Sequence, residues 1–267
     1  VVDTHRIKFL NTYIDNLTAS EAKDCVDKLI QMPGNHYVVT PNTDIVVKMN
    51  DDAKLKEICE KADLILTDGQ IIVKLSHKYG EPIKERVCMT DFVWEVFNLA
   101  IEKKYKVFLF GGKEDVLSKA TKNVKARLPE LNIVDSYSPP FGFEKDERML
   151  KAANDRIKNS NADILIVFLG CPKQEKFIAQ NKDKYQIPIS FTMGGCVDFL
   201  AGQVKRAPKW MQNVGLEWFY RFMQEPKRMF KRYFVDDLKF CNCKEKWQQV
   251  ILFAYIDRFN MCINLIK

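Results

Sequence analysis

The sequence predicts an α/β fold: a Rossmann-like parallel sheet with helices on both faces, followed by an all-helical, basic C-terminal appendage. Three observations lead there. Short apolar runs of β type alternate with helical segments as far as about residue 200, which is the order that builds a parallel sheet covered on both sides. Several of those runs end in turns of small polar residues or paired glycines. From residue 203 the strands stop, and basic and aromatic residues take over. The chain therefore divides into an α/β core at 1–202 and a helical, basic-aromatic appendage at 203–267.

In chain order, residues 6–10 read as a short strand. Thr18-Ala-Ser-Glu21 matches a capping box that opens a helix through Gln31, with Ala22, Val26, Leu29 and Ile30 on its apolar side. Residues 36–40 form the next strand, stopped by Pro41. Thr43 or Asp44 caps a helix through Met49, and Asp51 or Asp52 caps another through Lys61. A strand at 63–67 precedes a helix at 70–79, and Thr90 or Asp91 caps a helix through Lys103. The alternation then repeats: strand 106–110, Gly111-Gly112, helix 114–127, strand 132–136, and an interruption at Pro139-Pro140. A helix at 144–159, strand 163–169, turn at Gly170-Cys-Pro, helix 173–182, strand 189–193 and a short helix to Leu200 complete the core.

With 267 residues, 46% of them hydrophobic and 29% charged, the chain is globular and long enough to bury a large core. Its eight cysteines contain no C-x-x-C pair and it has only three histidines, so no metal-ligand spacing stands out. Residues 1–10 carry charges and a strand-like pattern in place of a long apolar run, unlike a secretory signal. These features lead us to expect a reducing, cytoplasmic setting.

The net charge of +7 is localised. Between Gln203 and Lys246, eleven Lys or Arg face five Asp or Glu, and Trp210, Trp218, Phe219, Tyr220, Phe222, Phe230, Tyr233 and Phe234 interleave with them. That mixture suits an anionic partner with an apolar face, an acidic membrane surface before nucleic acid. Equally, aromatics at helical spacing form the core of a small helical unit. The purely apolar run 250–256 is far short of the ~20 residues a spanning helix needs.

Several chemistries lack their signatures. There is no G-x-x-x-x-G-K-[ST], no G-x-G-x-x-G after a strand, no H-E-x-x-H and no G-x-S-x-G. D-x-D, with which one large class of nucleotide-sugar enzymes holds a metal on the diphosphate, is absent too. If a diphosphate leaves, positive charge must come from elsewhere, and the Arg-rich segment is the obvious supply.

Four loops carry chemistry-bearing residues at strand ends: Thr40-Pro-Asn42, Thr67-Asp68-Gly69, Gly111-Gly112 and Gly170-Cys-Pro-Lys-Gln174-Glu175. Ligands of open α/β sheets bind beyond the carboxyl ends of the strands. A Gly pair between strand and helix lets backbone N–H groups approach an anion, or is an ordinary turn. A strand-end Asp is a helix cap or a base. Convergence on one edge favours the functional alternative in each case.

The ordered set Thr40-Pro-Asn-Thr-Asp, Thr67-Asp-Gly, Phe108-Leu-Phe-Gly-Gly112, Ser138-Pro-Pro-Phe-Gly142, Leu169-Gly-Cys-Pro-Lys-Gln-Glu175, Asp198-Phe-Leu-Ala-Gly202 and Arg206-Ala-Pro208, followed by Gly215-Leu-Glu-Trp218, Arg221 and Glu225-Pro-Lys-Arg228, resembles the WecG/TagA/CpsF glycosyltransferases (glycosyltransferase family 26) from about Ile7 to Tyr233. The resemblance implies an inverting hexosyltransferase at the cytoplasmic membrane face, peripheral to the bilayer. It would move N-acetylmannosamine or a related sugar from a UDP donor onto undecaprenyl-diphosphate-linked N-acetylglucosamine, in teichoic acid or other surface-polysaccharide synthesis. It casts Asp68 as general base with Thr40 beside it, and C-terminal arginines, here Arg221, Arg228 and Arg232, as completing the site over the diphosphate. It also suggests self-association of the core.

The substrate-binding candidates are Asn42, Arg86, Gly111, Gly112, Gly170, Gln174 and those three arginines; for Arg86 a surface salt bridge is the alternative. We expect no metal and no cofactor. A one-step inversion needs a carboxylate on the acceptor side as the anomeric carbon gains oxocarbenium character, and fixed guanidinium groups on the side of the departing UDP. The rivals are a nucleotide-sugar transferase with another donor or a soluble acceptor, and a nucleic-acid-binding module.

Overall fold

The computed structural model describes residues 4–79, 81–213 and 216–230. They fall into two compact units: residues 4–69 with 83–205, and the described parts of 70–82 with those of 206–230.

The first unit opens with an antiparallel hairpin of β1 (Arg6–Phe9) and β2 (Thr12–Asp15). The sequence reading has a single strand here. The turn is made by Leu10, at φ +60°, and Asn11, with no glycine to announce it. Helix α1 (Ala19–Gln31) starts as expected: Thr18 accepts from the Glu21 amide and Glu21 accepts from the Thr18 amide, a complete capping box. Strand β3 (His36–Val39) leads through α2 (Thr43–Asp51) and α3 (Ala53–Glu60) to β4 (Leu64–Ile65). β4 has two residues where five are expected. Asp63 is occupied instead in accepting from the Tyr37 amide at 3.0 Å and pairing with His36 Nδ1 at 2.9 Å.

After Gly69 the chain enters α4 (Gln70–Tyr79) of the second unit. The first unit resumes with α5 (Met89–Lys103), β5 (Val107–Gly111), α6 (Glu114–Arg127), β6 (Ile133–Tyr137), α7 (Glu147–Asn159), β7 (Ile164–Phe168), α8 (Lys173–Tyr185), β8 (Ile189–Thr192) and α9 (Cys196–Leu200). Three helix starts depart from expectation, the first being α2, which is capped by Asn42 in place of Thr43 or Asp44. α5 starts at Met89 with Cys88 as N-cap, its side chain making no capping bond, so neither Thr90 nor Asp91 caps it. The helix expected over 144–159 is divided by Asp146, whose Oδ1 accepts from the Arg148 and Met149 amides and sets the start of α7.

Strands β3 to β8 form one parallel sheet in the order β4-β3-β8-β7-β5-β6. Side chains alternate across it. Val107, Leu109, Ile164, Ile166, Ile189 and Phe191 pack with α1, α5, α6 and α9 on one face. On the other, Phe110 stacks on Phe177 of α8 at 4.9 Å, and Phe177 stacks on Tyr185. Helices α2, α3, α7 and α8 lie together on that side. Each of these buried side chains contributes about 1.5–3 kcal/mol relative to exposure, so the near-continuous apolar runs of β5 and β7 fix the sheet.

The edge strand β4 is covered by the hairpin. Asp15, buried at the end of β2, accepts from the Ile65 amide at 2.7 Å and pairs with Arg6 at 2.8 Å, so an edge donor that would invite another strand is already satisfied.

The second unit contains α4, α10 (Lys209–Asn213), α11 (Glu217–Gln224) and α12 (Pro226–Phe230). Its aromatics divide between the two alternatives read from sequence. Phe219 and Tyr220 pack on a small core of Ala207, Met211 and Leu216, whereas Trp210, Met223 and Phe230 are exposed. No helix among the described residues is long and apolar enough to cross a membrane.

Candidate active site

All six parallel strands end at one edge, so the loops singled out from sequence lie along a single line. β5 leads outward to β6, whereas its neighbour β7 leads inward to β8. That reversal makes the gap between their carboxyl ends a topological switch point. There Gly111 has φ +96°, and a Cβ on it would lie 2.8 Å from Leu169 Cδ2 and 3.1 Å from the Phe168 carbonyl carbon. Only glycine lets the two loops pass this closely. Gly112 follows, half-buried, with its carbonyl accepting from Ser138 Oγ at 2.6 Å. Gly170, at φ +75°, turns the loop after β7.

At the β3/β4 end, a set of tight backbone bonds holds the polar residues. Thr40 is buried and its hydroxyl donates to the Thr192 carbonyl at 3.2 Å, tying the end of β3 to that of β8. Thr67 donates to the Pro41 carbonyl at 3.3 Å, tying the β3 and β4 loops together. Asn42 is the N-cap of α2, with Oδ1 accepting from the Ile45 amide. The side chain of Asp68, 28% exposed, stands just beyond β4.

Arg86 is a partner of Asp68. Its Nε donates to the Asp68 carbonyl at 2.9 Å and its Nη2 lies 3.4 Å from Asp68 Oδ1 and 3.3 Å from Cys88 Sγ. The Val87 amide donates to the Thr67 carbonyl at 3.0 Å, which fixes the segment carrying Arg86 beside the loop carrying Asp68. The guanidinium thus grips both backbone and side chain of the candidate base, a task for its planar fork that an ammonium could not reproduce. Sequence spacing, eighteen residues apart, gives no sign of this pair.

At the β7/β8 end the chemistry is different. Gln174, nearly buried, accepts the Gly194 amide on Oε1 at 2.9 Å and donates from Nε2 to Glu175 Oε1 at 2.9 Å. Glu175 is 0% exposed, and its second oxygen, Oε2, is buried with no hydrogen-bond partner among the described residues. Burial pushes its carboxyl above the usual range; the Gln174 amide, its own backbone, the Cys171 thiol and Lys48 oppose this only in part. Burial likewise raises the thiols of Cys171 and of Cys59 on α3, with Glu175 adding to both. The sequence reading counts Cys171 and Glu175 within a chemistry-bearing loop but selects only Gly170 and Gln174 from it as site residues.

Of the three arginines assigned from sequence, one side chain is described. Arg221 is in the second unit, its Nε 3.5 Å from Glu225 Oε2. The side chain of Arg228, and all of Arg232, lie outside the described residues.

The first unit thus presents a partly exposed carboxylate, gripped by an arginine, at the edge where α/β folds bind ligands. The model of the Glycosyl transferase WecG/TagA/CpsF family matches residues 7–249. Two N-acetylglucosaminyldiphosphoundecaprenol N-acetyl-beta-D-mannosaminyltransferases are similar: that of Bacillus subtilis (strain 168) is 30% identical over 224 residues, 84% of either chain, and that of Bacillus spizizenii is 32% identical over 192 residues, 72% of either chain. The Staphylococcus aureus (strain MW2) protein of the same name is 28% identical over 231 residues, 85% of this chain and 88% of that one. A match over most of the length shows that this chain belongs to the WecG/TagA/CpsF glycosyltransferase family.

Proposed function

We propose that the protein is an inverting glycosyltransferase that moves N-acetylmannosamine, or a closely related sugar, from a UDP donor to undecaprenyl-diphosphate-linked N-acetylglucosamine, in the synthesis of teichoic acid or another surface polysaccharide. The observation that carries the chemistry is the Asp68 carboxylate, partly exposed at the sheet edge and held by Arg86. The names of the relatives support the acceptor and the transferred sugar.

In this reading Asp68 takes the proton from the attacking hydroxyl of the acceptor as the bond from the anomeric carbon to UDP breaks. A carboxylate free to rotate would spend little time aimed at that hydroxyl. Arg86 removes that freedom, and orientation of this kind is a large part of the rate. Thr40 and Asn42 keep the neighbouring loop in place through the Thr192 carbonyl and the first turn of α2. Gly111, Gly112 and Gly170 bring backbone close to the donor. Charge on the departing UDP is assigned to the arginines of the basic segment, Arg221, Arg228 and Arg232, and no metal is required.

We place the enzyme at the inner face of the cell membrane, as a peripheral protein. The exposed Trp210, Met223 and Phe230 among basic residues support that location.

The test is transfer of sugar from a panel of UDP-sugars to a short-chain prenyl-diphosphate N-acetylglucosamine, with and without chelator. Preferred transfer from UDP-N-acetylmannosamine, undiminished by chelator and giving the inverted anomer, is the expected result. Transfer to free N-acetylglucosamine at the same efficiency would replace the lipid-linked acceptor by a soluble one. Sedimentation with anionic liposomes, reversed by salt, checks the membrane placement.

A further inference from the structure

The mechanism just described leaves one buried acid unused. Glu175 lies in the first turn of α8, fully buried, with one oxygen bonded to Gln174 and the other, near the Cys171 thiol, without a nitrogen or oxygen partner among the described residues. A buried polar atom without a partner costs free energy. A residue that served only to fill space could be apolar here at no such cost.

The bonds around it form a chain with a direction. The Gly194 amide can only donate, so the atom of Gln174 facing it must be the carbonyl oxygen. That leaves the Gln174 NH2 facing Glu175 Oε1, which accepts. The loop after β7 is in this way fastened to the loop after β8 through one side-chain amide. The backbone adds a bond of its own between these two strand ends: the Met193 amide donates to the Val167 carbonyl at 3.0 Å. The Gln174 amide continues that register past the last sheet bond, to the glycine that follows.

We propose that Glu175 is a positioning residue: by accepting from Gln174 it sets the orientation of the amide that fastens the β7 loop to the β8 loop, and so fixes the donor side of the reaction site. The inference rests on the glycosyltransferase reading for its second half only; the fastening itself stands on the geometry.

The surroundings make the device sensitive to charge. Facing Glu175 are the thiols of Cys171, in its own loop, and Cys59, on α3; Lys48 of α2 is the nearby cation and is itself paired with Asp44 at 2.8 Å. None of these is a dedicated counter-ion. The Gln174 bond by itself favours the ionised form, but burial outweighs it: to ionise, the carboxyl has to reach water, which requires the enclosing loop to open and so loosens the fastening. With the proton on, the carboxyl stays where it is and the fastening holds. The group's upward shift agrees with this.

Three variants and two readouts test it. The first readout needs no catalysis: hydrogen exchange of the Gly194 amide, taken at each pH as the ratio of wild type to Glu175→Gln, which cancels the intrinsic pH dependence of exchange. The Gln side chain keeps an acceptor for Gln174 and cannot ionise. The ratio should be near one in mild acid and rise with pH as wild type loses protection. The second readout is the steady-state split for the UDP-sugar. Glu175→Ala should raise the donor KM by about tenfold or more, with a smaller change in kcat, because loop misplacement is felt first by the group that binds there; Glu175→Gln should restore it. Gln174→Ala should match Glu175→Ala in both readouts. Constant exchange ratios across pH, together with an unchanged donor KM in Glu175→Ala, would overturn the proposal. Loss of the expected transfer reaction in wild type, with the exchange ratio behaving as described, would remove the reading of donor binding and leave the fastening in place.

Discussion

Asp68 and Glu175 are both acids at the carboxyl edge of the same sheet, and their settings could hardly differ more. Asp68 ends a two-residue edge strand, is partly exposed and is gripped by an arginine. Glu175 lies beyond a central strand, is wholly enclosed, and has around it an amide, two thiols and a lysine that is itself paired with Asp44. The first environment suits a group that must exchange a proton with a bound substrate. The second suits a group that keeps its proton and holds a shape. Residue type decides neither role; strand position does, since a central strand buries its loop between neighbours and an edge strand leaves one side open.

That contrast can be broken in several places. Asp68→Asn keeps size and hydrogen bonding while removing the base, and should lower turnover by about 10²-fold or more with donor affinity preserved; near-normal turnover in the lipid-acceptor assay would end its role as base. Arg86→Lys should lower turnover by roughly tenfold without restoring the two-point grip, because an ammonium cannot reach the Asp68 carbonyl and carboxylate together in the same geometry. Turnover equal to wild type would reduce Arg86 to an incidental salt bridge.

Two further variants act on stability. Below the ordinary carboxylate range Glu175 is protonated whether the chain is folded or not. As pH rises past about 4.3 the unfolded chain ionises first, and wild type loses stability relative to Glu175→Gln by about 1.4 kcal/mol per pH unit until the folded group also ionises. Urea denaturation across pH measures this; a stability gap independent of pH would mean that Glu175 is ionised in the folded protein. Gly111→Ala should destabilise by about 1–3 kcal/mol, through its positive φ and the contact with Leu169, which the same denaturation series reads at a single pH.

Much of the architecture was legible before any coordinates. The apolar runs at 107–111 and 164–168 and the capping box at Thr18 are strong local signals, and the structure places strands and a helix start there. The hairpin at 6–15 was half missed because its turn uses Leu10 and Asn11 where Gly would have announced it. The division of the helix at 144–159 turned on one Asp146 carboxylate competing with a continuous helical pattern. At the site, motif order brought the strand-end loops together, but side-chain partnership is a property of three dimensions. The Asp68–Arg86 pair spans a whole helix and the break between units, and the solitude of Glu175 depends on α3 packing against α8. Periodicity carries neither.

The most direct measurement places the two acids in one assay. Turnover of Asp68→Asn and of Glu175→Gln is compared side by side at saturating UDP-N-acetylmannosamine and saturating prenyl-diphosphate N-acetylglucosamine. The account predicts a collapse for the first and a rate close to wild type for the second; a collapse for Glu175→Gln with Asp68→Asn still active would contradict it.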